Sequence, residues 1–372
     1  MRLVTSKQKR APLVRGEATP EGTGKYADRF ATRLAGDFFR RFGSRGIRVS
    51  SMGFGTYLGE CNDEDDARYV AAVQHALSAG VNLLDTAINY RCQRSERAVG
   101  RAVAEAVRRK IARRDEIVIC TKGGYIPLDG TQPATREQYQ SYLNREYFNR
   151  GIMAATDVVG GAHCLARSYL DDQIARSRRN LGVDVIDLYY LHNPEQQLDA
   201  VPRDLFRVRL REAFMLLEEK CARGDIARYG CATWNGFRVP PDAREHLSLA
   251  EIVETAREAA GGPHHFAAVQ LPINLAFTEA IRTPTQPLPG GQMVSLLQAA
   301  AELGVTVIAS APLMQGKLAA GLPAQMRDAL PGYRTDAQRA LAFVRSLPIL
   351  ASALVGMKTV KHLDENLGVG KA

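Results

Sequence analysis

The sequence predicts a single α/β domain folded as a (β/α)8 TIM barrel, with an N-terminal hairpin and a long insertion after the third strand. Three observations carry that prediction. Counted from Val49, eight short apolar strands alternate with eight helices, and strict alternation of apolar strands with helices means a parallel sheet covered on its outside. Eight such units favour a closed barrel over an open doubly wound sheet. The conspicuous polar residues fall directly after strands, on the carboxyl-terminal rim where barrel enzymes place their sites.

The elements follow in order. From Phe38 the run FFRRFGSRGIRVSSMGFGTY holds two strand-like pieces around Gly43 and Gly46, predicting a hairpin and then a first strand. Asn62 or Asp63 caps a helix through Ser78, with Gly80 as its stop. A strand over 81–84 leads to Asp85, and a helix over about 95–109 carries Val99, Val103 and Val107 on one stripe. The strand 116–122 ends on Lys122, and the insertion 123–161 follows it. That insertion is Tyr-rich and too long for an ordinary connection, which predicts a lid, a pocket wall or a surface excursion. Regular alternation then resumes: a helix within 163–181, a strand over 185–191 ending on His192, and a helix over about 204–223. Strand 227–232 leads into Thr233-Trp234-Asn235-Gly236, and a helix around Leu249 to Ala256 stops at Gly261-Gly262. Strand 266–271 carries Gln270, and a Pro-rich loop separates it from a helix holding Met293, Leu296, Leu297 and Ala300. Strand 305–309, a helix over about 335–346, strand 351–355 and a helix over about 360–367 complete the chain.

Composition narrows the function. The net charge of +9 lies largely in arginine pairs such as Arg108-Arg109 and Arg178-Arg179 on helical stretches, where it reads as solvated outer face. No nucleic-acid motif accompanies it, so no nucleic-acid partner is expected, and a basic field suits an anionic, phosphate-bearing ligand. Six dispersed cysteines without a CxxC pair read as reduced thiols of a cytoplasmic enzyme. The polar, Gly/Pro-punctuated leader lacks an apolar signal core, and no apolar run reaches membrane-spanning length. Residues 1–37 are expected to form a partly disordered extension, mobile up to about Tyr26, and 38–372 the barrel.

Four polar groups converge on the rim: Asp85 at the mouth of its strand, Tyr90 in the loop NYRCQRSE beyond it, Lys122 and His192. A lysine alone would snorkel from a barrel rim, and a lone histidine would be a core residue. Together, a lysine kept charged by a carboxylate would pull the phenol below its usual value of about 10 and make it a proton donor near neutrality. A neutral imidazole could face a substrate carbonyl oxygen. The remaining histidines show no metal-ligand spacing, and no metal is expected. Gly53, Gly55 and Gly59 miss the dinucleotide-fingerprint spacing by one residue and read as turn glycines. Lys358, Lys361 and His362 at the start of the last helix make an anion site where barrels often hold phosphate.

With these residues assembled, the chain resembles the aldo-keto reductases from about Phe42 to Leu367, through GFGTY, LLDTAINY with Ser95-Glu96, the strand ending on Lys122, IDLYYLHNP, YGCATWN, VQLPIN, SAPLMQGKL and GMKTVKHLDENL. The resemblance implies a catalytic tetrad of Asp85, Tyr90, Lys122 and His192, and an extended NAD(P)H across the rim. Hydride would pass between nicotinamide and carbonyl carbon while Tyr90 exchanges the proton. It places Gly55, Thr56, Tyr57, Asp85, Ala232, Thr233, Gln270 and Ser310 towards the nicotinamide. Pro312, Leu313, Gln315, Gly316 and Lys317 fall at the pyrophosphate, and Gly356, Lys358, Thr359, His362, Glu365 and Asn366 at the adenosine. The chain departs from the family at three positions: Ala232-Thr233 stands where a Ser-Asn pair binds the carboxamide, Ser310 where an aromatic stacks, and His362 where an arginine grips the ribose phosphate. Lys358 can supply that charge, which tilts the cofactor to NADPH, with NADH as the alternative. No C-terminal loop of the kind that shapes specificity in many relatives is expected after the last helix, and the insertion 123–161 is expected to do its work. Implied, then, is an NAD(P)H-dependent reductase or dehydrogenase for an aldehyde, ketone or sugar, with a small-molecule partner, no membrane, and an oligomeric state not legible. The alternatives are a nicotinamide-binding regulatory subunit, as in potassium-channel β-subunits, and a Schiff-base aldolase using Lys122.

Overall fold

A computed structural model describes residues 13–371. Its first element contradicts the expectation of a leader mobile up to Tyr26. Thr19 caps helix α1 (Pro20–Phe30) by accepting the Gly22 N–H at 2.9 Å. Gly22 lies so close to the barrel that a Cβ there would stand 2.3 Å from Asp115 O. Tyr26 is buried, and its hydroxyl donates to Leu77 O at 2.6 Å. A helix this short is not stable alone and takes its stability from docking, which explains why no local signal announced it. The part of the expectation that concerns residues 1–12 lies outside the described residues.

Strands β1 (Phe39–Phe42) and β2 (Ile47–Ser50) form the antiparallel hairpin. Val49 therefore belongs to the hairpin, and the first barrel strand is β3 (Met52–Gly55). Then come α2 (Asp63–Ser78), capped by Asn62, β4 (Leu83–Asp85), α3 (Arg94–Arg108) and β5 (Val118–Gly123). The insertion contains α4 (Arg136–Glu146), and α5 (Arg167–Leu181), β6 (Leu188–His192), α6 (Arg203–Ala222) and β7 (Tyr229–Ala232) follow. After α7 (Leu249–Ala260) and β8 (Phe266–Pro272) comes a short α8 (Glu279–Arg282) and a second small hairpin, β9 (Gln286–Pro287) with β10 (Met293–Val294). Met293 thus sits in a strand ahead of its helix, α9 (Leu296–Glu302), whose start is fixed by a Ser295/Gln298 capping box. The chain closes with β11 (Thr306–Ser310), α10 (Ala324–Ala329), α11 (Asp336–Arg345), β12 (Leu350–Gly356) and α12 (Val360–Leu367).

The parallel strands close in the order β3, β4, β5, β6, β7, β8, β11, β12. Alternate residues turn inwards, and Leu83, Val118, Leu188, Ala268, Ile308 and Ala351 form an interior cluster that also takes in Phe42, Ile47 and Val49 of the hairpin. The hairpin is a plug for one end. Gly43 N donates to Thr306 Oγ1 at 2.9 Å and Arg40 Nη1 to Leu350 O at 2.9 Å, each the first residue of its strand. Asn82, just before β4, ties Ser50 N, Arg48 O and Glu116 O together at 2.8, 3.0 and 3.0 Å. The amino-terminal end is sealed, and only the carboxyl-terminal end remains for a ligand. Among the described residues, no helix is long and apolar enough to cross a membrane.

Candidate active site

Backbone pairing sets which side chains share a level at the open rim. Gly55 stands opposite Asp85, Lys122 opposite Tyr190, and His192 opposite Ala232, which in turn faces Gln270. Lys122 is 1% exposed. Its Nζ donates to Asp85 Oδ1 at 2.5 Å and to Thr86 O at 2.9 Å, and lies 3.4 Å from Tyr90 Oη. The other Asp85 oxygen accepts Gln270 Nε2 at 2.9 Å. Both neighbours of this carboxylate are donors, so the ionised form is the one that satisfies them, although burial pushes the carboxyl up. Burial likewise opposes the Lys122 ammonium, but Asp85 and Tyr90 outweigh it and hold the amine above its ordinary value.

The phenol behaves differently from the expectation. Burial pushes Tyr90 up from its ordinary value, and Lys122 only partly pulls it back. The Asp85 carboxylate adds to the effect of burial, so the phenol keeps its proton. Burial, followed by the Lys122 ammonium, drives His192 well below the usual imidazole range, so its ring is neutral. The Tyr90 and His192 rings meet edge to face at 5.8 Å. The structure therefore brings together all four residues singled out in the sequence.

Tyr90 is held by an unusual piece of chain. Arg91, Cys92 and Gln93 have φ of 49°, 53° and 68°, a left-handed run that costs non-glycine residues about 1–3 kcal/mol each and clusters at functional sites. Arg91 balances it by donating Nε to Glu60 O at 2.8 Å and Nη2 to buried Asp66 Oδ1 at 2.6 Å. Gln93 Nε2 donates to Leu128 O at 3.0 Å. Ser95 Oγ reaches Thr56 O at 2.8 Å, and Glu96, fully buried, accepts Thr121 Oγ1 at 2.6 Å and Asn180 Nδ2 at 2.8 Å.

A cleft of about 760 Å³ runs from Tyr90 and His192 to Asn366. Of the positions expected at a cofactor, its wall includes Gly55, Thr56, Tyr57, Asp85, Ala232, Thr233, Gln270 and Ser310 at one end. Pro312, Leu313, Gln315 and Gly316 stand in the middle, and Gly356, His362, Glu365 and Asn366 at the far end. Lys317, Lys358 and Thr359 stand outside the wall. Lys358 Nζ donates to Asp65 Oδ2 at 2.9 Å, and Thr359 caps α12. Asn89, Tyr125, Asn193 and Trp234 line the cleft without having been singled out; each follows a barrel strand closely, and that position was the available signal. Of the insertion 123–161, only Tyr125 reaches the wall. The expected specificity loop is otherwise packed outwards, with Tyr142 and Tyr147 hydroxyls on Pro127 O at 2.7 and 3.4 Å. Among the described residues, no group of three or more His, Cys, Asp or Glu side chains is placed to hold a metal.

Glu195 supports the Trp234 side of the cleft. Its Oε1 accepts the backbone N–H groups of Trp234, Asn235 and Gly236 at 2.8, 3.2 and 3.4 Å, while Oε2 is buried without a partner. Burial raises the carboxyl to about 7, against the pull of those N–H groups. The native state thus keeps a proton that the unfolded chain releases, so this residue lowers stability as pH rises from about 4.5 to about 7, with no further change above that range. Glu195→Gln should remove that loss, gaining about 3 kcal/mol on wild type between pH 4 and pH 8. Denaturant unfolding of both proteins across that range checks it, and parallel stability curves would contradict it.

The comparisons with known proteins agree on one relationship. A model of the aldo/keto reductase family matches residues 51–328. A 6-dehydroglucose reductase from Novosphingobium aromaticivorans is 28% identical over 225 residues, 59% of each chain. The matched stretch thus spans well under two thirds of that relative. Among solved structures, the holo form of an aldo-keto reductase from Bacillus halodurans superposes with a TM-score of 0.58 at 21% identity, covering 89% of this chain and 90% of that one. An aldo/keto reductase from Klebsiella pneumoniae in complex with NADP and acetate gives 0.55 at 21% identity, with 89% of each chain covered.

Proposed function

The chain belongs to the aldo/keto reductase family, and from that premise we propose that it is an NADPH-dependent oxidoreductase interconverting a carbonyl group and an alcohol by hydride transfer, with Tyr90 as general acid and base. The observation that carries this reading is the protonated Tyr90 phenol, 3.4 Å from an ionised Lys122, on the wall of the cleft.

The cleft suits the cofactor. It is continuous from Tyr90 to Asn366, and Asn89 Oδ1 and Thr233 Oγ1 are buried there without a partner in the chain. Thr56, Tyr57, Gln270 and Thr233 would hold the nicotinamide end, Ser310 to Gly316 the pyrophosphate, and His362, Glu365 and Asn366 the adenosine. Bound NADPH supplies a hydride to the carbonyl carbon. As charge grows on the carbonyl oxygen, Tyr90 gives up its proton, and the phenolate left behind faces the Lys122 ammonium, which Asp85 holds in place. Neutral His192 offers a ring nitrogen to the same oxygen without taking the proton. In the oxidative direction the phenolate recovers the proton from the alcohol. A Schiff-base role for Lys122 has no comparable support, because that chemistry needs a free amine and this one is charged and engaged by its neighbours.

The choice of NADPH rests on Lys358. A ribose phosphate there would compete with Asp65 for the ammonium, so Lys358→Met should weaken NADPH about tenfold, about 1.4 kcal/mol, and leave NADH nearly unchanged. Fluorescence titration of both cofactors checks this, and equal losses would remove the argument. The function itself is tested by NADPH and NADH oxidation across aldehydes, ketones and sugar carbonyls, with 6-dehydroglucose among them. Tight NADPH binding without oxidation by any of them would favour a regulatory subunit instead.

A further inference from the structure

A histidine that works on a substrate oxygen has to be aimed, and the usual device is a hydrogen bond to its second ring nitrogen. His192 lacks it: Nδ1 is buried with no partner. Its direction must come from packing and from its own backbone. Tyr125 meets the His192 ring edge to face at 4.9 Å and 89°. Tyr125 is held in turn, its Oη accepting Asn193 Nδ2 at 2.9 Å and its backbone oxygen accepting Tyr169 Oη at 2.8 Å. Behind both stands His163, just past the insertion. Its ring lies 5.2 Å from that of Tyr125, and its Nε2 is 2.8 Å from His192 O.

The polarity of the contacts fixes the proton on that ring. Arg209 Nη1 reaches Gln197 Oε1 at 2.6 Å, and a guanidinium only donates. Gln197 therefore turns its amide nitrogen to His163 Nδ1, at 2.8 Å. Nδ1 accepts, so the proton sits on Nε2 and is donated to the His192 carbonyl. Burial pushes His163 down to about 4, so the ring stays neutral and this polarity holds across the neutral range. Gly124 makes room for the contact: at its φ of +142° a Cβ would stand 2.9 Å from both His163 Nε2 and His192 O.

We propose that His163, through its bond to the His192 backbone and its contact with Tyr125, is the positioning residue that aims His192 at the substrate oxygen. The inference rests on the reductase reading above. It also gives the loop after β5 a role in the chemistry, since the two ends of that loop meet behind the reactive histidine. His163 is outside the cleft wall, so its loss should alter turnover and leave cofactor binding alone.

The test compares His163→Leu, which cannot donate, with His163→Gln, which keeps an amide donor. With NADPH and the best carbonyl of the panel, His163→Leu should lower kcat about 10–100-fold, with NADPH affinity by fluorescence within about twofold of wild type. His163→Gln should recover most of the rate. Independently of turnover, the imidazole nitrogen NMR signals of His192 should move in His163→Leu and return in His163→Gln. If His163→Leu does not accumulate, Gln197→Leu, which frees Nδ1 and lets the proton leave Nε2, carries the same expectation. An active wild type whose kcat and His192 signals are unchanged in these variants overturns the proposal. A wild type inert to every carbonyl, with His192 signals that still move, overturns the reductase reading and with it the aim at a substrate oxygen, and leaves standing only that His163 orients the His192 ring.

Discussion

Lys122→Met should abolish turnover, lowering kcat by at least about 10³-fold, while NADPH affinity changes little. Methionine nearly matches the lysine in volume, so the change removes charge and donors without opening a large cavity. What is lost is the ammonium beside Tyr90 Oη, 3.4 Å away, and with it the group that makes a phenolate tolerable in a buried site. Asp85 is left 4% exposed with Gln270 as its remaining side-chain donor. Stranding one partner of a buried pair costs about 3–5 kcal/mol, unless the carboxyl takes up a proton. The variant should therefore also lose thermal stability, more above neutrality than at pH 5. Activity within tenfold of wild type would end the mechanism.

Tyr90→Phe isolates the proton from the charge. The ring keeps its edge contacts with Tyr57 at 5.1 Å and His192 at 5.8 Å, and burial of the apolar ring is unchanged. Only the hydroxyl goes. Reduction of carbonyls should fall about 10³-fold or more, while NADPH titration should be indistinguishable from wild type and stability within about 1 kcal/mol. Persistence of a sizeable rate would move the acid role to another group, with His192 the first to examine.

The parts of this molecule that a sequence reveals are those with periodic or punctuated signals. The barrel strands announce themselves as apolar runs that carry Asp85, Lys122, His192 and Gln270 at or near their carboxyl ends, and the cap at Asn62 lies where its residue type belongs. What stayed hidden depends on distant partners. Helix α1 is stable because Tyr26 reaches Leu77 and Gly22 fits against Asp115, contacts that its own residues do not advertise. The direction of the Tyr90 shift is likewise hidden, because the sequence shows a neighbouring lysine but not the depth of burial that outweighs it. Tyr125 and His163 sit at either end of a stretch whose length marked it as unusual, yet only the pairing of 125 with 163 shows that the ends meet.

The Arg91 contacts make the mouth of the cleft mechanically lopsided. By bonding Glu60 O, Asn62 O and Asp66 at 2.8, 3.3 and 2.6 Å, one side chain welds the Tyr57 loop to the Tyr90 loop, and those two can travel only as a single jaw. Across from them, residues 313–319 close mostly by short-range backbone bonds, such as Met314 N to Ala311 O and Gly316 N to Leu313 O, each at 2.9 Å. A dinucleotide bound as proposed would therefore enter past that opposite side, with the phenol kept in register by the jaw that holds it.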